Sequence, residues 1–321
     1  MAKAIVLTET GGPGVLSSTE MPRPEPQGTQ LLIEVAAAGV NFIETYQRSG
    51  AYPVKLPFPL GGEAAGVVVG LGPSAAGFAV GDRVAFAEGT GTYAQYALVE
   101  ADKALPVPDG VDLETAAAAA LQGLTAHYLI NSTFPVASGQ TVLAHAGAGG
   151  VGLLLIQLLK AKGARVITTV SSAEKEELAR GAGADEVLRY DGFAEAVREL
   201  TGGTGVDVVY DGVGKSTFDG SLDSLRVRGT MVLFGAASGP VPPLDPQRLN
   251  RGGSLFLTRP SVAHYLLTAE ERRWRAGELF DAIITGALTV RIGARYPLAE
   301  AARAHEALEA RRTTGKVLLI P

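Results

Sequence analysis

Leu143-Ala-His-Ala-Gly-Ala-Gly-Gly-Val-Gly152 reads as the end of a strand, a glycine turn and the start of a helix. Gly147, Gly149 and Gly152 match the spacing G-x-G-x-x-G. In such a turn the first glycine permits a tight reversal and the second lets the backbone approach a pyrophosphate. The third lets helix and strand pack closely. Backbone N–H groups left free at the helix start then face the phosphates. Glycine is abundant, with 41 residues, so the spacing alone is weak. Its surroundings give it weight. Residues 140–145 form an apolar run fit for a buried strand, and residues 151–160 (Val-Gly-Leu-Leu-Leu-Ile-Gln-Leu-Leu-Lys) are fit for a buried helix. The stretch is therefore read as a dinucleotide site.

Outward from this turn, strands expected at residues 141–145, 165–170, 186–189, 206–210, 230–234 and 254–258 alternate with helical stretches at 151–162, 173–182, 193–200 and 216–225. That rhythm predicts a doubly wound α/β sheet of six parallel strands. Upstream, residues 1 to about 110 carry short apolar runs broken by Gly and Pro, at 3–8, 30–38, 64–71, 83–87 and 93–99. They predict a small, largely antiparallel β barrel. Residues 113–132 turn helical. The tail beyond 260 offers helices at 269–286 and 298–311 and strands at 291–296 and 316–320. It is too small to fold alone, so it is expected to return and complete the N-terminal domain.

The chain has 321 residues, 46% hydrophobic and 19% charged, which is the balance of a globular protein with room for two cores. Its net charge of −5 and scattered basic residues give no footprint for nucleic acid or a membrane surface. The absence of cysteine excludes disulfides, thiolate catalysis and Cys-ligated zinc. It also fits a cytoplasmic location. The N-terminus lacks the apolar core of a signal peptide, and no apolar run is long enough to span a bilayer.

The end of the second strand decides between cofactors. An NAD site carries a carboxylate about 20 residues after the glycines, on the ribose hydroxyls. Here that strand ends in Ser171-Ser172, and Lys175 follows one turn into the next helix. Hydroxyls and a cation suit a 2′-phosphate through charge-assisted hydrogen bonds, so NADPH is expected. Ser172 can equally serve as a helix N-cap, and both roles can coexist. Tyr190 is either a further hydroxyl for that pocket or a sheet-edge aromatic.

Several segments together resemble a known family. They are Ala37-Ala-Gly-Val-Asn-Phe-Ile-Glu-Thr-Tyr46, Gly61-Gly-Glu-Ala-Ala-Gly-Val-Val68, Val80-Gly-Asp-Arg-Val-Ala85, Leu121-Gln-Gly-Leu-Thr-Ala-His-Tyr128, the glycine turn, Val209-Tyr-Asp-Gly-Val-Gly214, Thr258-Arg-Pro-Ser261 and Gly315-Lys-Val-Leu-Leu319. The chain resembles the zinc-independent NADPH:quinone oxidoreductases, the zeta-crystallin-like branch of the medium-chain dehydrogenase/reductase superfamily. The resemblance implies a GroES-like β-barrel catalytic domain from residues 1–124 plus 261–321. A Rossmann domain, residues 125–260, would be inserted between. Zinc-bearing relatives place a ligand Cys where this chain has Asn41 and a ligand His where it has Gly62, so no metal site is expected. His127, His145, His264 and His305 are too scattered to make one.

Residue by residue, the resemblance places Asn41 and Tyr46 near the nicotinamide and acceptor, with Tyr52 on the pocket wall. Thr125 matches a hydroxyl on the nicotinamide side. Gly150 and Val151 match the pyrophosphate contact, and Ser171, Ser172, Lys175 and Tyr190 the 2′-phosphate pocket. Phe234, Gly235 and Ser238, then Thr258 and Arg259, match cofactor-contacting ends of the fifth and sixth strands. Lys316 is either a late cofactor contact or an ordinary exposed residue. Asn41 could instead be a turn residue, and Tyr46 and Tyr52 plain packing aromatics. The implied reaction is direct hydride transfer from NADPH to a quinone or conjugated enone across the domain cleft, with the proton from Tyr46 or from water. Reduction of 2-alkenals or enoyl thioesters is an alternative, and a crystallin-like NADPH-binding or RNA-binding protein a more distant one. The family also implies a homodimer.

Overall fold

The computed structural model describes all 321 residues. The chain opens with β1 (Ala2–Leu7), β2 (Ser18–Met21) and the long β3 (Gln30–Val40). Helix α1 (Phe42–Ser49) follows, then β4 (Phe58–Pro59), β5 (Ala64–Leu71), β6 (Arg83–Phe86), β7 (Tyr96–Glu100) and β8 (Leu105–Pro106). Helix α2 (Leu113–Tyr128) runs on into a π-helical turn at Leu129–Thr133. Next come β9 (Thr141–Ala144), α3 (Gly150–Ala161), β10 (Arg165–Thr169), α4 (Ala173–Gly181), β11 (Glu186–Leu188) and α5 (Phe193–Leu200). They are followed by β12 (Val206–Asp211), α6 (Phe218–Asp223), β13 (Leu225–Leu233), α7 (Gln247–Arg251) and β14 (Phe256–Thr258). The chain closes with α8 (Ala269–Ile284), β15 (Ile292–Pro297), α9 (Ala301–Glu309) and β16 (Lys316–Ile320).

Two compact units result: Met1–Leu124 with Thr268–Pro321, and Thr125–Leu267. The second boundary falls after Leu267 rather than after residue 260. Tyr265 stacks on Tyr128 with ring centroids 4.5 Å apart, which fastens this segment to its own unit.

In the second unit six strands pair in the order β11-β10-β9-β12-β13-β14, every pair parallel. This is the doubly wound arrangement expected from the alternating pattern. Its topological switch point lies between β9 and β12, where the strand order reverses. Helix α3 buries Leu153, Leu154, Leu155, Ile156 and Leu159, and each such side chain contributes roughly 1.5–3 kcal/mol relative to exposure. Ser172 caps α4 by accepting a hydrogen bond from the Lys175 N–H at 3.3 Å. Sequence patterning missed α1 and α7, and set α6 too long. Gly214 (φ 88°) holds a turn ahead of that stretch, and α6 covers only Phe218–Asp223.

The first unit holds a three-stranded sheet β2-β1-β4 and a seven-stranded sheet β15-β16-β3-β5-β6-β8 with β7 also on β3. All its strand pairs are antiparallel except β15 with β16. Leu31, Ile33, Leu60, Val68, Phe86, Tyr93 and Leu319 are almost wholly buried in its core. The last strand, β16, returns to lie beside β3, with Val317 opposite Val40. That return carries a distant part of the sequence to the end of β3, and the consequence is seen in the site below.

Candidate active site

At the carboxyl end of β9 the chain makes the glycine turn. Ala146 adopts a left-handed conformation (φ 57°), and the Gly149 N–H donates back to the Ala146 carbonyl at 2.9 Å. A non-glycine residue in that region costs roughly 1–2 kcal/mol. The turn is held by its surroundings. Gly147 N–H donates to the Thr169 carbonyl at 3.0 Å, and Leu153 N–H to the Gly149 carbonyl at 3.0 Å. Gly152 packs so tightly that a Cβ there would collide with the Ala146 carbonyl oxygen and lie 2.9 Å from the Gly147 Cα. The N–H groups of Gly150, Val151 and Gly152 open α3 and have no partner within the helix, the arrangement that binds phosphates.

The neighbouring strand ends surround this turn. Beyond β10 stand Ser171 and Ser172, both exposed, with Lys175 half-buried on α4. Sequence reading missed Arg189, just past β11. Its guanidinium donates to the Ser172 carbonyl at 3.0 Å and to Glu176 at 2.9 Å. The signal available was a basic residue next to Tyr190 at a strand end. Tyr190 lies past β11, and its ring stacks on His145 at 6.2 Å. His145 has both ring nitrogens engaged within the fold. Its ring nitrogens contact Thr169 Oγ1 at 2.8 Å and Ser221 Oγ at 2.9 Å, and burial pushes the imidazole below its ordinary range despite Asp211 nearby.

Asp211, at the end of β12, was also missed. It accepts hydrogen bonds from the Val213 and Gly214 N–H groups at 2.7 and 2.9 Å, and from Thr217 and Ser221 hydroxyls at 2.7 and 2.9 Å. Those bonds fix the turn facing β13. There Phe234 and Gly235 follow the strand, and Ser238 Oγ donates to the Val213 carbonyl and accepts from the Ser216 N–H. Thr258 closes β14 and Arg259 is exposed beyond it. Thr125 is half-buried in α2, where the second unit begins.

In the first unit, Asn41, Tyr46 and Tyr52 are brought together around α1. Asn41 is its N-cap, Tyr46 lies on it, and Tyr52 follows with its ring 5.2 Å from that of Tyr46. The Tyr52 N–H donates to the Tyr46 carbonyl at 3.0 Å. Tyr46 is half-buried and Tyr52 is 44% exposed.

Lys316 is not the ordinary exposed residue of one expectation. Its side chain is buried and forms an ion pair with Glu63. Its amine also donates to Asn41 Oδ1 at 2.7 Å. Asn41 Nδ2 donates to Glu63 Oε2 at 2.8 Å, and Leu121 N–H to Glu63 Oε1 at 2.6 Å. The Asn41 backbone N–H donates to Glu44 Oε2 at 2.8 Å. Burial pushes the Glu44 carboxyl up to about 7, with Lys316 opposing and Glu63 assisting. Nearby, Tyr93 Oη and His305 Nε2 are 3.1 Å apart, and burial together with Arg48 pushes His305 down to about 3. Arg48 is itself paired with Glu309 through two hydrogen bonds at 3.0 and 2.7 Å.

Comparison with known proteins fits both halves of this architecture. Residues 27–109 match the alcohol dehydrogenase GroES-like domain, and residues 150–281 the zinc-binding dehydrogenase family. The quinone oxidoreductase of Salmonella typhimurium is 47% identical over the full length of both chains. The chain belongs to the quinone oxidoreductase family of the medium-chain dehydrogenase/reductase superfamily. A mycobacterial structure complexed with NADPH is 58% identical with a TM-score of 0.97, each chain covered completely. The 2-haloacrylate reductase of a Burkholderia species is 41% identical, over 100% of this chain and 99% of its own.

The zinc in the family description does not fit this member's residues. No group of three or more His, Cys, Asp or Glu side chains is disposed to hold a metal ion. Of the two carboxylates at the Asn41 end of β3, Glu63 is already paired with Lys316 and Glu44 holds the Asn41 backbone N–H.

Proposed function

We propose that this protein is an NADPH-dependent quinone reductase that works by direct hydride transfer without a metal. Full-length likeness to quinone oxidoreductases carries this reading, and the chemistry of the individual residues agrees with it. The N–H groups of Gly150 and Val151 would hold the pyrophosphate at the start of α3. Ser171, Ser172 and Lys175 would take the 2′-phosphate, joined by Arg189, while Tyr190 lies against the turn through His145. Asp211 would keep the β12 and β13 turns, with Phe234, Gly235 and Ser238, in shape against the cofactor. Thr258 and Arg259 extend the same row of strand ends.

NADPH, when bound, supplies a hydride from C4 of its reduced ring. Asn41 and Tyr46 would donate hydrogen bonds to the acceptor oxygen as negative charge builds there, with Tyr52 walling the pocket. Tyr46 or water would deliver the proton. An acceptor that is itself electron-poor and needs little electrophilic help, a quinone or conjugated enone, suits donors of this kind. The likeness to a 2-haloacrylate reductase favours activated alkenes as the second acceptor class. The protein would act in the cytoplasm as a homodimer. The sheet edge at β14, where Phe256 is 61% and Leu257 36% exposed, is the candidate interface.

The test is NADPH oxidation with a simple quinone, with and without a chelator, beside the same assay with 2-alkenals and with NADH. Chelator-resistant quinone turnover that favours NADPH over NADH at least tenfold is expected. Turnover of alkenals alone would move the activity to the second class. Tight NADPH binding with no turnover would point to a binding protein.

A further inference from the structure

Three adjacent strands, β16, β3 and β5, deliver three side chains to one place. Asn41 follows the end of β3, Glu63 precedes β5, and Lys316 begins β16. The amide of Asn41 sits between a donor and an acceptor, with Lys316 Nζ on its oxygen and Glu63 Oε2 on its nitrogen. That pairing decides the orientation of the amide. A flip would face its oxygen to the carboxylate and its N–H groups to the ammonium. Glu63 cannot turn away, because its other oxygen accepts from the Leu121 N–H at 2.6 Å. Glu44 holds the Asn41 backbone N–H. Space is reserved as well: a Cβ on Gly39 would overlap the Glu63 carboxyl and lie 2.8 Å from Lys316 Cε. Glu63 is 0% and Lys316 1% exposed, while Asn41 keeps 8%. The pair therefore acts outward only through Asn41.

We infer that Glu63 and Lys316 are positioning residues that lock the Asn41 amide, so that its one remaining Nδ2–H is held ready for the acceptor oxygen. A donor fixed in advance needs no reorientation when charge develops, and a cation on the amide oxygen strengthens the N–H at the other end. This inference rests on the proposed quinone reduction.

Single replacement of Lys316 leaves a buried charge, so the test uses the double variant Glu63→Gln/Lys316→Met, which buries none. With full-length protein, NADPH affinity is expected to stay within about twofold and the quinone KM within about threefold. The kcat should fall about 10- to 100-fold, toward the loss seen when a prepositioned donor is removed. A second readout needs no turnover. The chain has three asparagines, Asn41, Asn131 and Asn250, so 15N-asparagine labelling gives three side-chain amide pairs, and Asn41→Asp identifies one of them. The Asn41 pair should stand apart from free-amide shifts in the wild type and move to them in the double variant. Wild-type kcat in the double variant, or an unmoved Asn41 pair, overturns the inference and leaves the functional reading standing. NADPH affinity that falls as far as kcat also overturns it, returning Lys316 to the cofactor. A wild-type protein that binds NADPH but reduces no quinone instead overturns the functional reading, and the role of the lock with it.

Discussion

The glycine turn of the second unit and the Asn41 end of the first are built on opposite principles. The turn is local: Ala146 to Gly152 are contiguous, and their fit depends on missing side chains and on free N–H groups at one helix start. The Asn41 network is assembled from afar, with hydrogen bonds spanning 22, 253 and 275 residues of sequence. One region is proposed to recognise its ligand through backbone, while the other holds buried charge. The difference teaches where each is fragile. The turn should fail in ligand affinity, the network in folding and turnover.

The largest expected effect is on the network. Lys316→Met strands the Glu63 carboxylate in the core, and breaking a buried pair from one side costs about 3–5 kcal/mol. Chemical denaturation should show that loss, and adding Glu63→Gln should recover most of it.

Next comes pH. Glu44 has its carboxyl raised from 4.5 to about 7, so the folded protein holds a proton that the unfolded chain has released. Stability from this group therefore falls as pH rises from 4.5 to 7, by about 3 kcal/mol in all. Glu44→Gln should stabilise the protein by about that much at pH 8 and leave it unchanged below pH 4.5. His305 runs the other way. Its imidazole is lowered from 6.5 to about 3, so stability is lost as pH falls through that window. Removing Glu44 should therefore steepen the acid limb seen in thermal melts between pH 4.5 and 6.5.

On the turn, Gly152→Ala adds a methyl group where the Ala146 carbonyl already sits. NADPH affinity should fall about 100-fold, or about 2.7 kcal/mol, in a fluorescence titration. The smallest effect is expected from Lys175→Ala. NADPH affinity should weaken about tenfold and NADH affinity should not change, because a half-exposed cation on a phosphate is worth about 1–2 kcal/mol. An unaltered preference would remove Lys175 from the phosphate pocket and leave Arg189 as its cation.

The same contrast explains what was legible in the sequence. The six parallel strands and the turn announce themselves by short-range pattern: apolar runs, glycine spacing and a capped helix. The carboxylate-free end of β10 is visible for the same reason, since Ser171 and Ser172 adjoin the strand that carries them. Lys316 was legible as a late cofactor contact or as an exposed residue before a strand, and not as the partner of Asn41. Nothing near it in sequence shows that β16 lies beside β3 and sets its amine against Asn41. Asp211 was hidden inside a recognised segment, because its value lies in four hydrogen bonds within a turn that patterning does not resolve. Arg189 was missed because its partners, Ser172 and Glu176, belong to the preceding βα unit.

The division of labour between the two regions is tested most directly by single-turnover quinone reduction in Asn41→Ala at saturating NADPH, measured beside its NADPH affinity. The account predicts a hydride-transfer rate at least about tenfold slower with cofactor affinity unchanged. An unchanged rate, or a loss of NADPH affinity as large as the loss of rate, would contradict it.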